Sequence, residues 1–150
     1  MTAMRSMPNY TFDSALEMRD AGLAAASAAA QVDGAAKIVD VGDAIFSGTV
    51  VIDISAIEVA STDEEYDIIL QGSNSATFAS GIQNLAQMNV GAGAVRQGGA
   101  ATSLVGRLLM PFVNIQADVT YRYLRVYTVV AGSIATGINY TARIGKTRAA

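Results

Sequence analysis

Residues 49–55 read Thr49-Val50-Val51-Ile52-Asp53-Ile54-Ser55, and this stretch decides the fold. Val50, Ile52 and Ile54 fall on one side of an extended chain, because successive side chains of a strand point to opposite faces. Asp53 and Ser55 fall on the other side, which indicates a strand with one buried face. Similar strand-forming stretches recur between turn-forming residues. They cover residues 37–41, 49–55, 65–71, 85–90, 107–112, 120–130 and 138–144.

Three of these stretches repeat the two-sided pattern, so their apolar rows are predicted to face a common core. The rows are Tyr66, Ile68 and Leu70; Leu108, Met110 and Phe112; and Leu124, Val126 and Val130. Pro111 has no backbone N–H, which predicts that its strand lies at a sheet edge. Residues 120–130 are predicted to form the longest strand. The fold is therefore predicted to be all-β, an antiparallel β-sandwich of jelly-roll type.

The first part of the chain has a different pattern, and we interpret residues 1–35 as an N-terminal arm and residues 36–150 as the jelly-roll sandwich. From Phe12 to Met18 every second residue forms a strand-like row, but the neighbouring residues also fit one helical face. The alanine-rich run 21–30 has high helix propensity and little apolar bulk. This segment is therefore either a short helix or an extended arm that lies on a partner.

The composition limits the chemistry. The chain has 150 residues, with no His and no Cys. These absences exclude a histidine-based catalytic couple, a thiol nucleophile and a Cys or His metal site. No nucleophile–base pair is visible among the remaining residues. We therefore expect a protein that is not an enzyme and that takes no cofactor or metal.

The composition also bears on partners. A sequence pI of about 4.7 argues against direct binding of nucleic acid, which usually needs a basic excess. No apolar stretch is long enough to span a bilayer, and no secretory signal is recognisable, so no membrane partner is expected. The chain is 51% hydrophobic and only 15% charged. Such a weakly charged surface indicates that part of it is covered by another chain.

Charge is distributed unevenly along the chain. Residues 1–67 hold three basic and twelve acidic side chains, a sum of −9, whereas residues 68–150 hold seven basic and one acidic side chain, a sum of +6. Two interpretations stay open: the segments form opposed docking patches, or a sandwich interleaves them so that they neutralise each other. The densest acidic cluster, within residues 63–67, is interpreted as a solvated turn.

The strand 120–130 carries the main candidate for a binding site. Tyr121, Tyr123, Arg125 and Tyr127 are predicted to share one face, and Tyr and Arg are favoured in interface hot spots. The same face also fits an ordinary sheet surface with cross-strand packing. We predict interface residues on the N-terminal arm and on this strand. They are Tyr10, Phe12, Leu16, Met18, Tyr121, Arg122, Tyr123, Arg125 and Tyr127.

Several stretches resemble a known family. They are 10–17 (YTFDSALE), 25–37 (AASAAAQVDGAAK), 70–78 (LQGSNSATF), 121–125 (YRYLR) and 132–141 (GSIATGINYT). In these stretches the chain resembles the jelly-roll capsid cement, or decoration, proteins of tailed bacteriophages. None of the stretches is a catalytic signature, so the resemblance is one of overall pattern.

The resemblance implies a structural virion protein, made in the bacterial host cytoplasm and located on the outer surface of the capsid. Its expected partners are the phage major capsid protein and a second copy of itself in a homodimer. Its expected role is to bridge capsid subunits and to stabilise the head against the pressure of packed DNA. The residues themselves leave an alternative, a carbohydrate-binding β-sandwich module in which Tyr121, Tyr123 and Tyr127 stack on sugar rings.

Overall fold

A computed structural model of the chain describes residues 10–147. Its strands are β1 (Tyr10–Arg19), β2 (Leu23–Ala24), β3 (Ala28–Ala29), β4 (Gln31–Val32), β5 (Ala35–Ala36), β6 (Val39–Asp40), β7 (Ser47–Ile57), β8 (Glu65–Ser73), β9 (Gln83–Gly91), β10 (Gly106–Val113), β11 (Ile115–Gln116), β12 (Val119–Thr120), β13 (Tyr123–Ala131) and β14 (Ile138–Thr147). A short 3-10 helix covers Gln97–Gly99. No helix within residues 10–147 is long and apolar enough to cross a membrane.

The long strands form two antiparallel sheets that pack against each other. Sheet A has the order β1-β14-β7-β10, with β2 also paired to β14. Sheet B has the order β3-β13-β8-β9, with β6 also paired to β13. The predicted all-β antiparallel sandwich is therefore confirmed, while its assignment to the jelly-roll type stays a prediction.

The core consists of the inward rows that alternation predicts. Ile52 of β7, Ile68 of β8 and Leu124 of β13 are fully buried, as are their apolar neighbours two residues away. The prediction is confirmed because a strand with one solvent-exposed face alternates buried and exposed side chains along its whole length. The predicted inward row of β10 also faces the core, with Met110 and Phe112 buried.

Two predictions about individual strands have different outcomes. Strand β10 lies at an edge of sheet A, as Pro111 predicts. The predicted long strand 120–130 is wrong, because the chain leaves the ladder at Tyr121 and Arg122. The side chain and backbone of Asn114 bind both backbone groups of Tyr121, and Asn74 Oδ1 accepts a hydrogen bond from Arg122 N. Within residues 10–147 the longest strand is β7 instead.

Within residues 10–40 the chain is extended and contains no helix, so the helical interpretation is wrong, and of the extended-arm interpretation only the backbone conformation is confirmed. The chain runs along one side of the sandwich, first on the edge of sheet A as β1 and β2, then on the edge of sheet B as β3 and β6. Met18 and Ala30 belong to the core. Residues 1–9 lie outside the described part of the chain. The described part of the predicted arm thus packs on its own sandwich.

Part of the uneven charge along the sequence is neutralised within the fold. The ion pairs found among residues 10–147 are Arg107–Asp53, Arg122–Asp40, Arg122–Asp43 and Arg143–Glu17. Each joins an acid from the first part of the chain to an arginine from the second. The sandwich therefore interleaves the two segments, as the second interpretation predicts.

Candidate functional site

The two sheets turn different surfaces outward. We call the outer face of sheet B face B; it is built from alternate residues of β13, β8 and β9. They include Tyr123, Arg125, Tyr127, Val129, Glu65, Asp67, Ile69, Gln71, Asn84, Gln87 and Asn89. We call the outer face of sheet A face A. Its members used below are Phe12, Glu17, Val51, Asp53, Arg107, Leu109 and Arg143.

Arg125 occupies the middle of face B and packs on aromatic rings. Its guanidinium carbon lies 4.4 Å from the ring centroid of Phe78 and 5.3 Å from that of Tyr127. Phe78 belongs to the loop between β8 and β9, and this loop places the ring over the sheet with only 5% of the residue exposed. A planar guanidinium stacks on such rings, whereas an ammonium group is a compact point charge.

A row of hydrogen bonds across three strands fixes the position of Arg125. Its Nε donates to Oε1 of Gln71 at 2.9 Å, and Nε2 of Gln71 donates to Oδ1 of Asn84 at 3.1 Å. The three residues are register neighbours on β13, β8 and β9. The row therefore holds the guanidinium in one orientation before any partner is present.

The charge of Arg125 has no acidic counterpart in the described residues. Its hydrogen bond goes to a neutral amide, and no carboxylate pairs with it. Burial lowers the pKa of Arg125 from its usual range, and only Tyr127 acts in the opposite direction. The acids of the same face, Asp67 and Glu65, lie four and six residues before Gln71 on β8, and Asp67 accepts a hydrogen bond from Asn89 at 2.8 Å. Face B thus presents a partly desolvated cation without a compensating anion.

Tyr123 and Tyr127 lie on face B with Arg125, as predicted, and both are half-buried. Arg122 is placed differently, beside the face. Its Nε and Nη2 donate to the two carboxylate oxygens of Asp40 at 2.8 and 2.9 Å. This bidentate pair holds the pKa of Asp40 below and that of Arg122 above their usual values. Arg122 is therefore neutralised inside the subunit.

Tyr121 does not share the face, which corrects the predicted four-residue row. A Cβ placed on Gly72 would lie 2.8 Å from both Cβ of Tyr121 and Cδ1 of Leu85, so Tyr121 packs on the core side of the sheet end. Asn114, fully buried, holds it there and also binds Phe46 N and Ala44 O. In the sequence, Asn114 cannot be distinguished from other loop amides. Only the fold shows that its hydrogen bonds connect Ala44 and Phe46 with Tyr121.

The predicted interface residues of β1 are separated by a register shift. Phe12 lies on face A and is 40% exposed, with the guanidinium carbons of Arg107 and Arg143 at 5.9 and 5.6 Å from its ring centroid. Leu16 packs against the core and Met18 is fully buried in it. The shift between Phe12 and Glu17 reverses the alternation, so Met18 is not exposed to a partner. The side chain of Tyr10 lies outside the described residues.

The arginines of face A are paired with acids. Nε and Nη2 of Arg107 donate to the carboxylate of Asp53 at 2.7 and 2.9 Å, and this contact lowers the pKa of Asp53. Arg143 and Glu17 approach to 3.9 Å. Face A therefore carries rings and arginines like face B, but its charges are balanced within the subunit.

The predicted solvated acidic turn is more ordered than its composition suggests. Glu64 is fully buried and its Oε1 accepts a hydrogen bond from Ser61 N at 2.6 Å. Asp63 accepts two hydrogen bonds from Ser133. Nearby, Glu58 accepts hydrogen bonds from three successive backbone N–H groups, residues 135–137, which lower its pKa. Asp63 and Glu58 thus hold the loop before β14 in place, whereas Glu64 binds its own turn, and only the tertiary contacts reveal these roles.

Two cavities are lined by none of the face B residues named above. A groove of about 620 Å³ runs beside β2 and β3 and is lined mainly by alanines, with Arg19 and Thr128 among its walls. The second cavity, of about 410 Å³, lies at the end of the sandwich beside Tyr121 and Asn74. No group of three or more acidic side chains within residues 10–147 is arranged to hold a metal ion.

Comparison with known proteins assigns no family. No family model matches the chain, and no curated protein matches it at a significant level. The site must therefore be judged by its chemistry. Face B offers aromatic rings, amides and one preoriented cation on an open sheet, which suits contact and hydrogen bonding with another macromolecule.

Proposed function

We propose that the protein is a capsid cement subunit, which binds the outside of an icosahedral phage head and bridges major capsid proteins against the pressure of packed DNA. The observation that carries the proposal is face B, where Tyr123, Arg125 and Tyr127 form an outward surface with an uncompensated charge. The resemblance of the sequence to jelly-roll cement proteins supports the same function.

In the proposed mechanism, the cement subunit adds its own contacts to those that already join the capsid subunits. A cement subunit contributes free energy across the seam between two capsid subunits, so outward strain must break that contact as well as the seam. Tyr and Arg suit this role because they give a large contact area with few rotatable bonds and several donors.

Purified full virions provide the first test. We expect mass spectrometry to find this chain in particles sedimented through a density gradient. Capsids assembled without it should bind the added protein at a fixed stoichiometry and should then release DNA at a higher temperature. Tyr127→Ala on face B should weaken this binding, whereas Leu109→Ala on face A should not. Absence of the chain from full particles would contradict the proposal.

Self-association as a homodimer is the second part of the proposal. Leu104 and Val105 support it, because they are 82% and 59% exposed in the segment before β10, which is unusual for large apolar side chains. Sedimentation equilibrium should give the mass of two chains. Leu104→Asn together with Val105→Thr should shift the equilibrium toward the monomer.

Carbohydrate binding is the competing function that the same face supports. Tyr127 shares face B with Gln87 and Asn84, so this face combines a flat ring with amide groups, a combination that suits sugar hydroxyls. A glycan array separates the two functions. Specific binding of a sugar that is lost in Tyr127→Ala, together with no binding to capsids, would favour the carbohydrate module.

A further inference from the structure

We infer that Arg125 is a receptor for a carboxylate, namely an Asp or Glu side chain on the protein that docks on face B. The identity of that protein as a capsid subunit rests on the proposed function, but the chemistry of the ligand does not. The inference stands on three features of the described residues: unused donors, fixed orientation and the shape of the surface.

The donors come first. Of the guanidinium nitrogens of Arg125, Nε is bound to Gln71, while Nη1 and Nη2 have no hydrogen-bond partner among residues 10–147. A carboxylate accepts two parallel N–H bonds from one guanidinium, which is the most specific and strongest pairing that arginine makes. A neutral acceptor would leave the positive charge uncompensated once a partner had removed the remaining water.

Preorganisation is the second feature. Arg125 lies over the rings of Phe78 and Tyr127, and Gln71 is held in turn by Asn84. A long arginine side chain normally loses rotamer freedom when it binds. Here the stacking and the hydrogen-bond row have restricted those rotamers already, so a docking carboxylate meets donors in a fixed place.

The surface favours a protein rather than a small molecule as the source of the carboxylate. Face B is the outside of a sheet, and neither cavity, of about 620 or 410 Å³, includes Arg125 or its two ring partners. Small molecules are usually held in concave sites that enclose most of their surface. An open face with a central arginine and surrounding tyrosines instead matches the centre of a protein interface.

A titration of the isolated full-length protein tests the ligand chemistry. We expect sodium propionate to shift the Nε–Hε NMR signal of Arg125 saturably, whereas propionamide at equal ionic strength leaves it in place. The signal is assigned by its loss in Arg125→Lys. Arg107 and Arg122, already paired with acids, should not respond. No saturable shift, or an equal shift at all three arginines, would overturn the inference.

Capsid binding tests the partner. Arg125→Gln and Arg125→Lys should each lower the affinity for capsids at least 30-fold, because neither substitution restores a bidentate planar pair, while Arg107→Gln should stay within threefold of the wild type. Unchanged binding of Arg125→Gln would overturn the inference. If the wild type fails to bind capsids, the cement function fails, and the propionate titration alone decides whether the carboxylate site exists. The inference about Arg125 would also be overturned if neutral sugars bind at Tyr127 while propionate leaves the Arg125 signal unchanged.

Discussion

The outer faces of the two sheets use similar residues in opposite ways. On face A, Arg107 and Arg143 lie near the Phe12 ring and are paired with Asp53 and Glu17. On face B, Arg125 lies over two rings and is bound to an amide. Residue composition alone therefore does not distinguish a candidate docking surface from an ordinary sheet face. What distinguishes face B is a cation whose charge the subunit itself leaves uncompensated.

The largest predicted difference between the faces concerns their phenylalanines. Phe78 is 5% exposed and supports Arg125, whereas Phe12 is 40% exposed beneath the arginines of face A. We expect Phe78→Ala to lower the free energy of unfolding by about 3 kcal/mol, because a buried ring is removed. Phe12→Ala should cost about 1 kcal/mol, because much of its ring is already in water. Urea denaturation measures both.

Equal losses for the two substitutions would mean that the ring under Arg125 is no better packed than a surface ring. The ring beneath the guanidinium of Arg125 would then hold it no more firmly than Phe12 holds the arginines of face A. The two faces would not differ in this respect. Phe78→Leu serves as the matched control, since it keeps most of the buried volume while it removes the ring.

The next prediction converts face B into a copy of face A. Gln71→Glu places a carboxylate next to Nε of Arg125, at the position where the amide oxygen now accepts its hydrogen bond. We expect the fold to be retained and the affinity for capsids to fall about 30-fold, equivalent to about 2 kcal/mol, because the cation is neutralised internally. Co-sedimentation of the protein with capsids gives the affinity.

Gln87→Glu is the control for the added charge. It lies on the same face, on β9 opposite Ile69 rather than opposite the residue that binds Arg125. A similar loss of affinity in both variants would indicate general repulsion from an acidic partner. A loss confined to Gln71→Glu supports the specific role of Arg125.

The smallest predicted effect is a difference in pH dependence. The Arg107 contact lowers the folded-state pKa of Asp53 below its unfolded value of about 3.9. The Asp53–Arg107 ion pair therefore contributes its full stabilisation at a pH above the unfolded-state pKa of Asp53. This stabilisation is lost as the pH falls through the lower pKa of the folded state. Both side chains are partly exposed, so Asp53→Asn should lower the free energy of unfolding by at most about 1 kcal/mol at neutral pH. At a pH below the folded-state pKa of Asp53, the substitution should leave the free energy of unfolding unchanged.

Arg125→Gln is the counterpart on face B. No carboxylate is paired with Arg125 in the described residues, so the stability difference from the wild type should stay constant between neutral and acid pH. Thermal unfolding across this pH range measures both variants. A pH-dependent difference for Arg125→Gln would reveal an acidic partner inside the subunit and would contradict the account.

Alternation made the sandwich and its core predictable. A strand buried on one face keeps a period of two, so Ile52, Ile68 and Leu124 could be placed inside from the sequence alone. Pro111 could be placed at an edge because it lacks an N–H. Local rules fail where the period breaks. The register shift in β1 places Phe12 and Met18 on opposite faces of the sheet, although alternation predicts the same face. No residue in this segment predicts the shift.

The candidate site was predictable only in part. Strand parity brings Tyr123, Arg125 and Tyr127 to one face, and these three residues were identified. Tyr121 was misplaced because its backbone is captured by Asn114, a contact between distant parts of the chain. Phe78 was missed because it reaches Arg125 from a loop, and loop geometry depends on the finished fold.

Docking of face B on a capsid subunit through Arg125 can be seen by electron cryo-microscopy of full particles. We expect face B to lie against the major capsid protein, with Nη1 and Nη2 of Arg125 about 3 Å from the carboxylate oxygens of a capsid Asp or Glu. A reconstruction in which face B is turned to solvent and face A contacts the capsid would contradict it.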